Sequence, residues 1–335
     1  MEPLVAPGPA PVAVQNTAPA PELLSPRESS ARRLIPDTDL RVHPLALGGS
    51  VFGWTADGDT STRILDRHRE LGGNFIDTAD SYAAGRSETI IGGWLHSRHA
   101  RADVVIATKI GRNLDNPGLS PRSIIGAVQA SLQRLQTDYI DLLYFHLDDA
   151  AVPLEESLGA VDVLLRSGQV RYLAASNFTA ERLMEARVLA ANGLPRFVAL
   201  QSHYNLVRRA EFESSLALVT QAQGLAMMPY FALAHGFLGG KYRSKSDTSA
   251  TARGARAAIY LNRKALRVLR AVERVASDHR VVPATIALAW LLARSTVVAP
   301  VTGASSPEQV EALVAAAGIR LSRAELIELD RVSLV

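Results

Sequence analysis

Four short segments of this sequence end in side chains that together form a proton-donating set. They are Asp77-Thr78-Ala79-Asp80-Ser81-Tyr82, Thr108-Lys109, Phe145-His146 and Ser176-Asn177. Singly, each has a bland reading, since a lysine after a strand is usually a surface charge and a lone histidine is more often structural than catalytic. Taken together, an ammonium beside a phenol favours the phenolate, and a carboxylate keeps that ammonium charged. A tyrosine has an unperturbed pKa of about 10, and moving it toward 7 takes roughly 3–4 kcal/mol of differential interaction, within reach of one close desolvated cation. Other chemistries fit less well. No serine sits in a G-x-S-x-G turn, and none of the eight histidines shows H-x-x-x-H spacing near a carboxylate, so no metal site is expected. The chain has no cysteine, which excludes disulfides, thiolate zinc, iron–sulfur clusters and thiol nucleophiles.

The elements that must position these groups follow from hydrophobic patterning. Short apolar runs recur at 43–47, 74–79, 104–108, 139–145, 170–175, 197–201, 225–229 and 297–301, which predicts eight strands. Amphipathic segments lie between them, such as Ile124, Ile125, Val128, Leu132 and Leu135, or Leu154, Leu158, Val161, Leu164 and Leu165 ending at Gly168. Strands that are apolar on both faces, alternating with helices, predict an α/β fold, a closed (β/α)8 TIM barrel. An open doubly wound sheet is the rival, but Gly48-Gly49-Ser50-Val51-Phe52-Gly53 does not fit G-x-G-x-x-G. In a parallel barrel the active site is built at the C-terminal strand ends, where the four segments place their polar residues.

The flanks complete the expected organisation. Residues 1–26 hold seven prolines among Ala, Val and Gly, so a disordered tail is expected over residues 1–30, with the barrel as one domain over 31–335. A short β-hairpin is predicted at its start, from Arg32-Arg33-Leu34-Ile35 through a Pro36-Asp37-Thr38-Asp39 turn to Leu40-Arg41-Val42. The composition, 47% hydrophobic and 21% charged with a net charge of +3, is that of a globular protein. Its cations are spread along the chain, so nucleic acid is not expected as a partner. No apolar run approaches the length of about 20 residues that a membrane helix needs. With no secretory n-region either, no membrane partner and a cytoplasmic location are the expectations.

From about Arg32 to Ser333 the sequence closely resembles the aldo-keto reductase superfamily. The resemblance is carried by Gly72-Gly73-Asn74-Phe75-Ile76-Asp77-Thr78-Ala79-Asp80-Ser81-Tyr82, the Gly85-Arg86-Ser87-Glu88 turn, and Thr108-Lys109. It continues through Pro153-Leu154-Glu155-Glu156, Gly168-Gln169-Val170-Arg171-Tyr172 and Ala175-Ser176-Asn177-Phe178. Gln201 with Tyr204-Asn205, Gly236-Phe237-Leu238-Gly239-Gly240-Lys241-Tyr242, and Gly303-Ala304-Ser305 followed by Gln309 complete it.

The resemblance implies an NADP-dependent oxidoreductase that reduces an aldehyde or ketone to an alcohol. It makes Tyr82 the general acid, Lys109 and Asp77 its pKa-lowering partners, and His146 the group that orients the carbonyl. Ser176, Asn177 and Gln201 match carboxamide-binding residues, and Tyr230 the aromatic that stacks on the nicotinamide. Gly49, Phe231, Leu233, Gly236, Lys241, Gly303, Ser305 and Gln309 stand at further cofactor positions, with Arg253 or Arg256 near the diphosphate. The Glu-Asn pair usual a turn after Gln309 is replaced by Ala312-Leu313. Trp54 is the candidate substrate-pocket wall. The expected partner is a small-molecule carbonyl compound, and a homo-oligomer is compatible with the sequence. A keto-deoxysugar nucleotide is one substrate class the family implies, and the Ala- and Arg-rich make-up fits an actinobacterial-type member. The alternative function is a nucleotide-sensing regulatory subunit of the potassium-channel β type.

Overall fold

A computed structural model describes residues 32–249 and 254–334, so the predicted tail over 1–30, Arg253 and Val335 lie outside the described residues. The predicted hairpin forms from β1 (Arg33–Leu34) and β2 (Arg41–Val42), which pair antiparallel with Arg33 opposite Val42. Eight parallel strands follow: β3 (Ala46–Gly48), β4 (Phe75–Asp77), β5 (Val105–Ile110), β6 (Ile140–Phe145), β7 (Val170–Ser176), β8 (Phe197–His203), β9 (Ala226–Tyr230) and β10 (Val301–Thr302). They are ordered β10-β3-β4-β5-β6-β7-β8-β9, and a parallel bridge from Met227 to Val297 joins the two ends of the sheet. This is the (β/α)8 architecture read from the sequence.

The last strand is shorter than the apolar run 297–301 predicts. Pro300 has no N–H to give a ladder, so the segment touches β9 at a single bridge, and pairing to β3 resumes only at Val301.

Helices α1 (Gly58–Glu70), α2 (Arg86–Ser97), α3 (Pro121–Leu135), α4 (Leu154–Arg166), α5 (Ala180–Ala191) and α6 (Ala217–Ala222) cover the first part of the barrel. After β9 come α7 (Lys245–Ser249), α8 (Gly254–Ala257), α9 (Arg263–His279) and α10 (Pro283–Leu292), and after β10 come α11 (Pro307–Val314) and α12 (Arg323–Ser333). Local chemistry fixes their ends. Ser120 caps α3 by accepting from the Ser123 N–H at 3.2 Å with Pro121 at the first position, and Ser322 and Glu325 form a capping box on α12. Among the described residues no helix is long and apolar enough to cross a membrane.

Two apolar clusters result from the period-two alternation of the strands. Ile76, Ile106, Leu143, Phe145, Leu173 and Ala175 face the helices, while Phe75, Val105, Ala107, Leu142, Tyr144, Ala174, Ala226 and Met228 fill the barrel. Ile35, Leu40 and Val42 of the hairpin belong to the inner cluster and plug its N-terminal end. Continuing each inward column by two residues reaches Asp77, Lys109, His146, Ser176 and Tyr230. The alternation that packs the barrel therefore also delivers the polar set to its C-terminal mouth.

The close approach of α2 to α3 depends on Gly92. A Cβ built there would lie 2.2 Å from the Arg134 backbone oxygen and 2.7 Å from the Leu135 carbonyl carbon. Gly92→Val is expected to cost about 1–3 kcal/mol, the usual range for overpacking, as a lowered urea midpoint. An unchanged midpoint would mean that the two helices separate freely.

Candidate active site

Lys109 is the centre of the mouth. Its side chain comes off β5 into the barrel with 0% exposure, and its Nζ donates to Asp77 Oδ1 at 2.5 Å and to the Thr78 backbone oxygen at 2.8 Å. The second oxygen of Asp77 accepts from Gln201 Nε2 at 2.8 Å. The ammonium lies 5.2 Å from the Tyr82 ring centroid and 5.7 Å from that of Tyr144, one layer deeper. Burial opposes the charge on Lys109, but Asp77 and Tyr82 outweigh it and hold its pKa above the ordinary lysine value. A buried cation of this kind is retained only because it is paired and hydrogen-bonded.

Tyr82 and His146 flank it, with ring centroids 6.0 Å apart and planes at 83°. The geometry alters one sequence expectation. Burial raises the Tyr82 phenol above its ordinary pKa, Lys109 lowers it, and Asp77 raises it further. Asp77 therefore acts on the phenol only by keeping Lys109 charged; its own field works against ionisation. The result is a tyrosine that stays protonated near neutral pH. His146 is pushed down to about 2 by burial, then by Lys109 and Arg112, so its ring is neutral.

The turn that carries Tyr82 is unusual in backbone. Ala83, Ala84 and Gly85 take φ of 50°, 55° and 85°, three left-handed residues in succession. Non-glycine residues reach this region at a cost of roughly 1–2 kcal/mol each, so surrounding contacts must hold the turn. They are buried and specific. Ser87 donates to the Gly49 backbone oxygen at 2.8 Å and lies 2.8 Å from Thr78 Oγ1. Glu88 accepts from Thr108 Oγ1 at 2.5 Å and from Arg134 Nε at 2.7 Å. Gly49 is required here, because a Cβ would sit 2.7 Å from Ser87 Oγ. In the sequence the Gly85-Arg86-Ser87-Glu88 turn is legible only as a motif, and nothing there marks Arg134, Thr108 and Ser87 as its supports. Asp80, which the sequence shows only as part of the segment ending in Tyr82, is fully buried and raised to about 7 by burial and then by Glu88.

Next to this cluster, Ser176, Asn177, Gln201 and Tyr230 come from the ends of β7, β8 and β9. Asn177, at φ 57°, donates to the His146 backbone oxygen at 2.9 Å and to Ser176 Oγ at 3.1 Å, and accepts from the Tyr230 hydroxyl at 2.7 Å. His203 stacks on Tyr230 with centroids 5.4 Å apart at 27°. The set offers amide and hydroxyl groups beside a flat ring, the chemistry a nicotinamide carboxamide and its ring need. Phe231 and Gly236 follow in left-handed conformations with Leu233 half-buried between them, and Gly303 approaches the Gly48 backbone oxygen to 2.9 Å of a built Cβ.

The remaining candidates stand apart. The Ser305 N–H donates to Gln309 Oε1 at 3.0 Å, while Lys241 is exposed and, among the described residues, no contact ties it to the Lys109 cluster. Leu313, where the family's usual polar pair is missing, is buried in the outer core. Arg256 places its guanidinium 5.5 Å from the ring centroid of Trp54, so the segment after β9 reaches across to the β3–α1 loop. Among the described residues no three His, Asp or Glu side chains are grouped to hold a metal ion.

Comparison with known proteins identifies the family. The model of the Aldo/keto reductase family matches residues 44–333. Among curated relatives, a norsolorinic acid reductase B from Dothistroma septosporum is 33% identical over 321 residues, covering 89% of this chain and 80% of its own. An aryl-alcohol dehydrogenase from Pestalotiopsis microspora is 32% identical, covering 90% and 81%. A norsolorinic acid reductase from Emericella nidulans is 35% identical, covering 89% and 80%.

Proposed function

Because the chain belongs to the aldo/keto reductase family, we propose that it is an NADPH-dependent carbonyl reductase in which Tyr82 is the general acid. The observation that carries this is the ammonium of Lys109, held by Asp77 inside the barrel and set between the Tyr82 and Tyr144 rings beside a neutral His146. Ser176, Asn177, Gln201 and Tyr230 would hold the nicotinamide, and the bound cofactor supplies the hydride. A carbonyl oxygen placed between Tyr82 and His146 accepts the proton of the phenol as charge develops on it. Lys109 stabilises the phenolate left behind, and Asp77 and Gln201 fix the position of that cation. His146, uncharged, orients the carbonyl by hydrogen bonding without competing as an acid. The relatives bear the names of reductases and of an aryl-alcohol dehydrogenase, which supports an aldehyde or ketone as substrate and its alcohol as product. The test is a panel of carbonyl compounds with NADPH consumption followed by absorbance; no turnover on any class, with cofactor bound, speaks against the reading.

For the cofactor itself, Lys241, Ser305 and Gln309 are the residues that would receive a phosphorylated ribose. NADPH is therefore expected to bind at least several-fold more tightly than NADH, since one charge-assisted contact contributes about 1.5–3 kcal/mol. Fluorescence titration at physiological salt measures both constants. Equal or tighter NADH binding overturns the NADPH assignment.

A further inference from the structure

The inward column of β8 continues past Gln201 to His203, an imidazole that neither the proton-transfer set nor the amide groups use. In the sheet His203 is the register partner of Tyr230, as Ala199 is of Ala226 and Gln201 of Met228. The two rings therefore leave neighbouring strands on the same side and at the same height. They stack, with centroids 5.4 Å apart and planes at 27°. Phe231 also meets Tyr230, but edge-on, at 4.9 Å and 79°. His203 covers one face of the Tyr230 ring, and the second face is the one a flat ligand can take.

Hydrogen bonds fix the plane of His203. Asn205 Nδ2 and the Tyr260 hydroxyl each lie 3.3 Å from its Nε2. Two further bonds orient the Asn205 amide: Oδ1 accepts from the Val207 N–H at 2.9 Å, and Nδ2 donates to the Phe231 backbone oxygen at 2.9 Å. An amide nitrogen only donates, so Nε2 is the acceptor, the ring proton sits on Nδ1 and the imidazole is uncharged. Burial and then Arg208 lower His203 to about 4, in accord with that state. Tyr260 ends the short helical turn Ala258–Tyr260 in the segment after β9, where it is buried and packs on Phe237 with centroids 5.9 Å apart at 32°. The far end of Tyr230 is held by its hydroxyl, which donates to Asn177 Oδ1 at 2.7 Å. One bond from β7 and one ring from β8 thus set the plane of Tyr230, and Asn205 and Tyr260 lock that second ring.

Resting on the reading that Tyr230 carries the nicotinamide, we propose that His203 is a positioning residue for the cofactor: its ring, held in plane by Tyr260 and Asn205, backs Tyr230 and presents the opposite face of that tyrosine to the nicotinamide. His203 acts through Tyr230 and touches neither the cofactor nor the reacting carbonyl. Ordering the tyrosine before the ligand arrives reduces the entropy lost on binding.

The probes are NADPH and adenosine 2′,5′-bisphosphate, which shares the adenine end and lacks the nicotinamide, with both dissociation constants measured by calorimetry. His203→Ala is expected to weaken NADPH about fivefold, the worth of one aromatic pair, and to leave the bisphosphate unchanged. His203→Phe keeps a flat ring behind Tyr230 and should retain most of the parent's NADPH affinity. Tyr260→Phe should weaken NADPH about twofold in the parent and not in His203→Phe, where no ring nitrogen remains to accept its bond. Unchanged NADPH binding in His203→Ala overturns the proposal, and so does a loss in His203→Phe as large as that in His203→Ala. Equal weakening of both probes overturns it too, because His203 would then support the fold at large. Tighter NADPH binding in His203→Ala would show that the imidazole occupies the face the nicotinamide takes, which is the opposite of the proposal. A parent that binds neither probe defeats the cofactor reading itself and this inference with it.

Discussion

Tyr82→Phe is expected to abolish carbonyl reduction while leaving cofactor affinity nearly unchanged. The substitution removes one hydroxyl and keeps the ring that faces His146 at 6.0 Å and Lys109 at 5.2 Å. General acid catalysis is typically worth about 10²–10⁴-fold, so kcat should fall at least that far. Lys109→Met should produce a comparable loss, because the phenolate formed in the reaction loses its stabilising cation. It should also cost stability, since Asp77 is left buried with Gln201 as its remaining side-chain donor. The two effects should not add. If phenol and ammonium work as one unit, the double variant is scarcely worse than either single variant. Turnover of Tyr82→Phe near that of the parent, on a substrate the parent reduces, would sink the mechanism and move the reading toward a nucleotide-sensing role.

The protonation state behind that prediction shows where sequence and structure part. The identities and strand-end positions of Asp77, Lys109 and His146 are legible because the inward column of each strand has period two, and Phe75, Ala107 and Tyr144 lie one step below them. Even the Tyr82 turn is marked by its glycine. The sign of the Tyr82 shift is not legible, since it depends on how burial and Asp77 weigh against Lys109, a matter of distance and solvent exclusion. The same holds for Arg134 and Thr108. They lie 46 and 20 positions from Glu88, and nothing local to either announces that both bond to one buried carboxylate. Pro300 was visible, yet its effect on β10 required knowing which side of the strand needed a donor.

Acid should unfold the barrel through two histidines at the end remote from the site, well above the pH at which paired carboxylates titrate. His43 precedes β3 and His68 lies on α1; their ring centroids are 6.0 Å apart at 79°, and among the described residues none of their ring nitrogens has a hydrogen bond of normal geometry. Gly73 is a glycine because His68 fills the space where its Cβ would be, with ring atoms 2.2–2.4 Å from that position. Burial lowers His43 to about 4, and burial with the neighbouring His43 lowers His68 to about 3. Both folded values are depressed below the ordinary 6.5, so the unfolded chain takes up protons first as pH falls. The stability that depends on the neutral rings is complete above about pH 6.5 and is lost progressively down to about pH 4 for His43 and about pH 3 for His68. Each histidine contributes a slope of about 1.4 kcal/mol per pH unit inside that window. Asp80 works the other way. Its folded pKa is raised to about 7, so between about pH 4 and 7 its contribution grows as pH falls. One aspartate offsets one histidine, and the second leaves a net loss, to which His203, lowered to about 4, and His146, lowered to about 2, each add a further share. Urea unfolding at half-unit steps from pH 7.5 to pH 4.5 measures the balance, with His68→Phe as the non-titrating comparison. The expected result is a free energy of unfolding that drops toward acid in the parent and drops by about one proton less steeply in the variant. Equal slopes would show that the pair titrates alike in the folded and unfolded chains, and that acid sensitivity enters elsewhere.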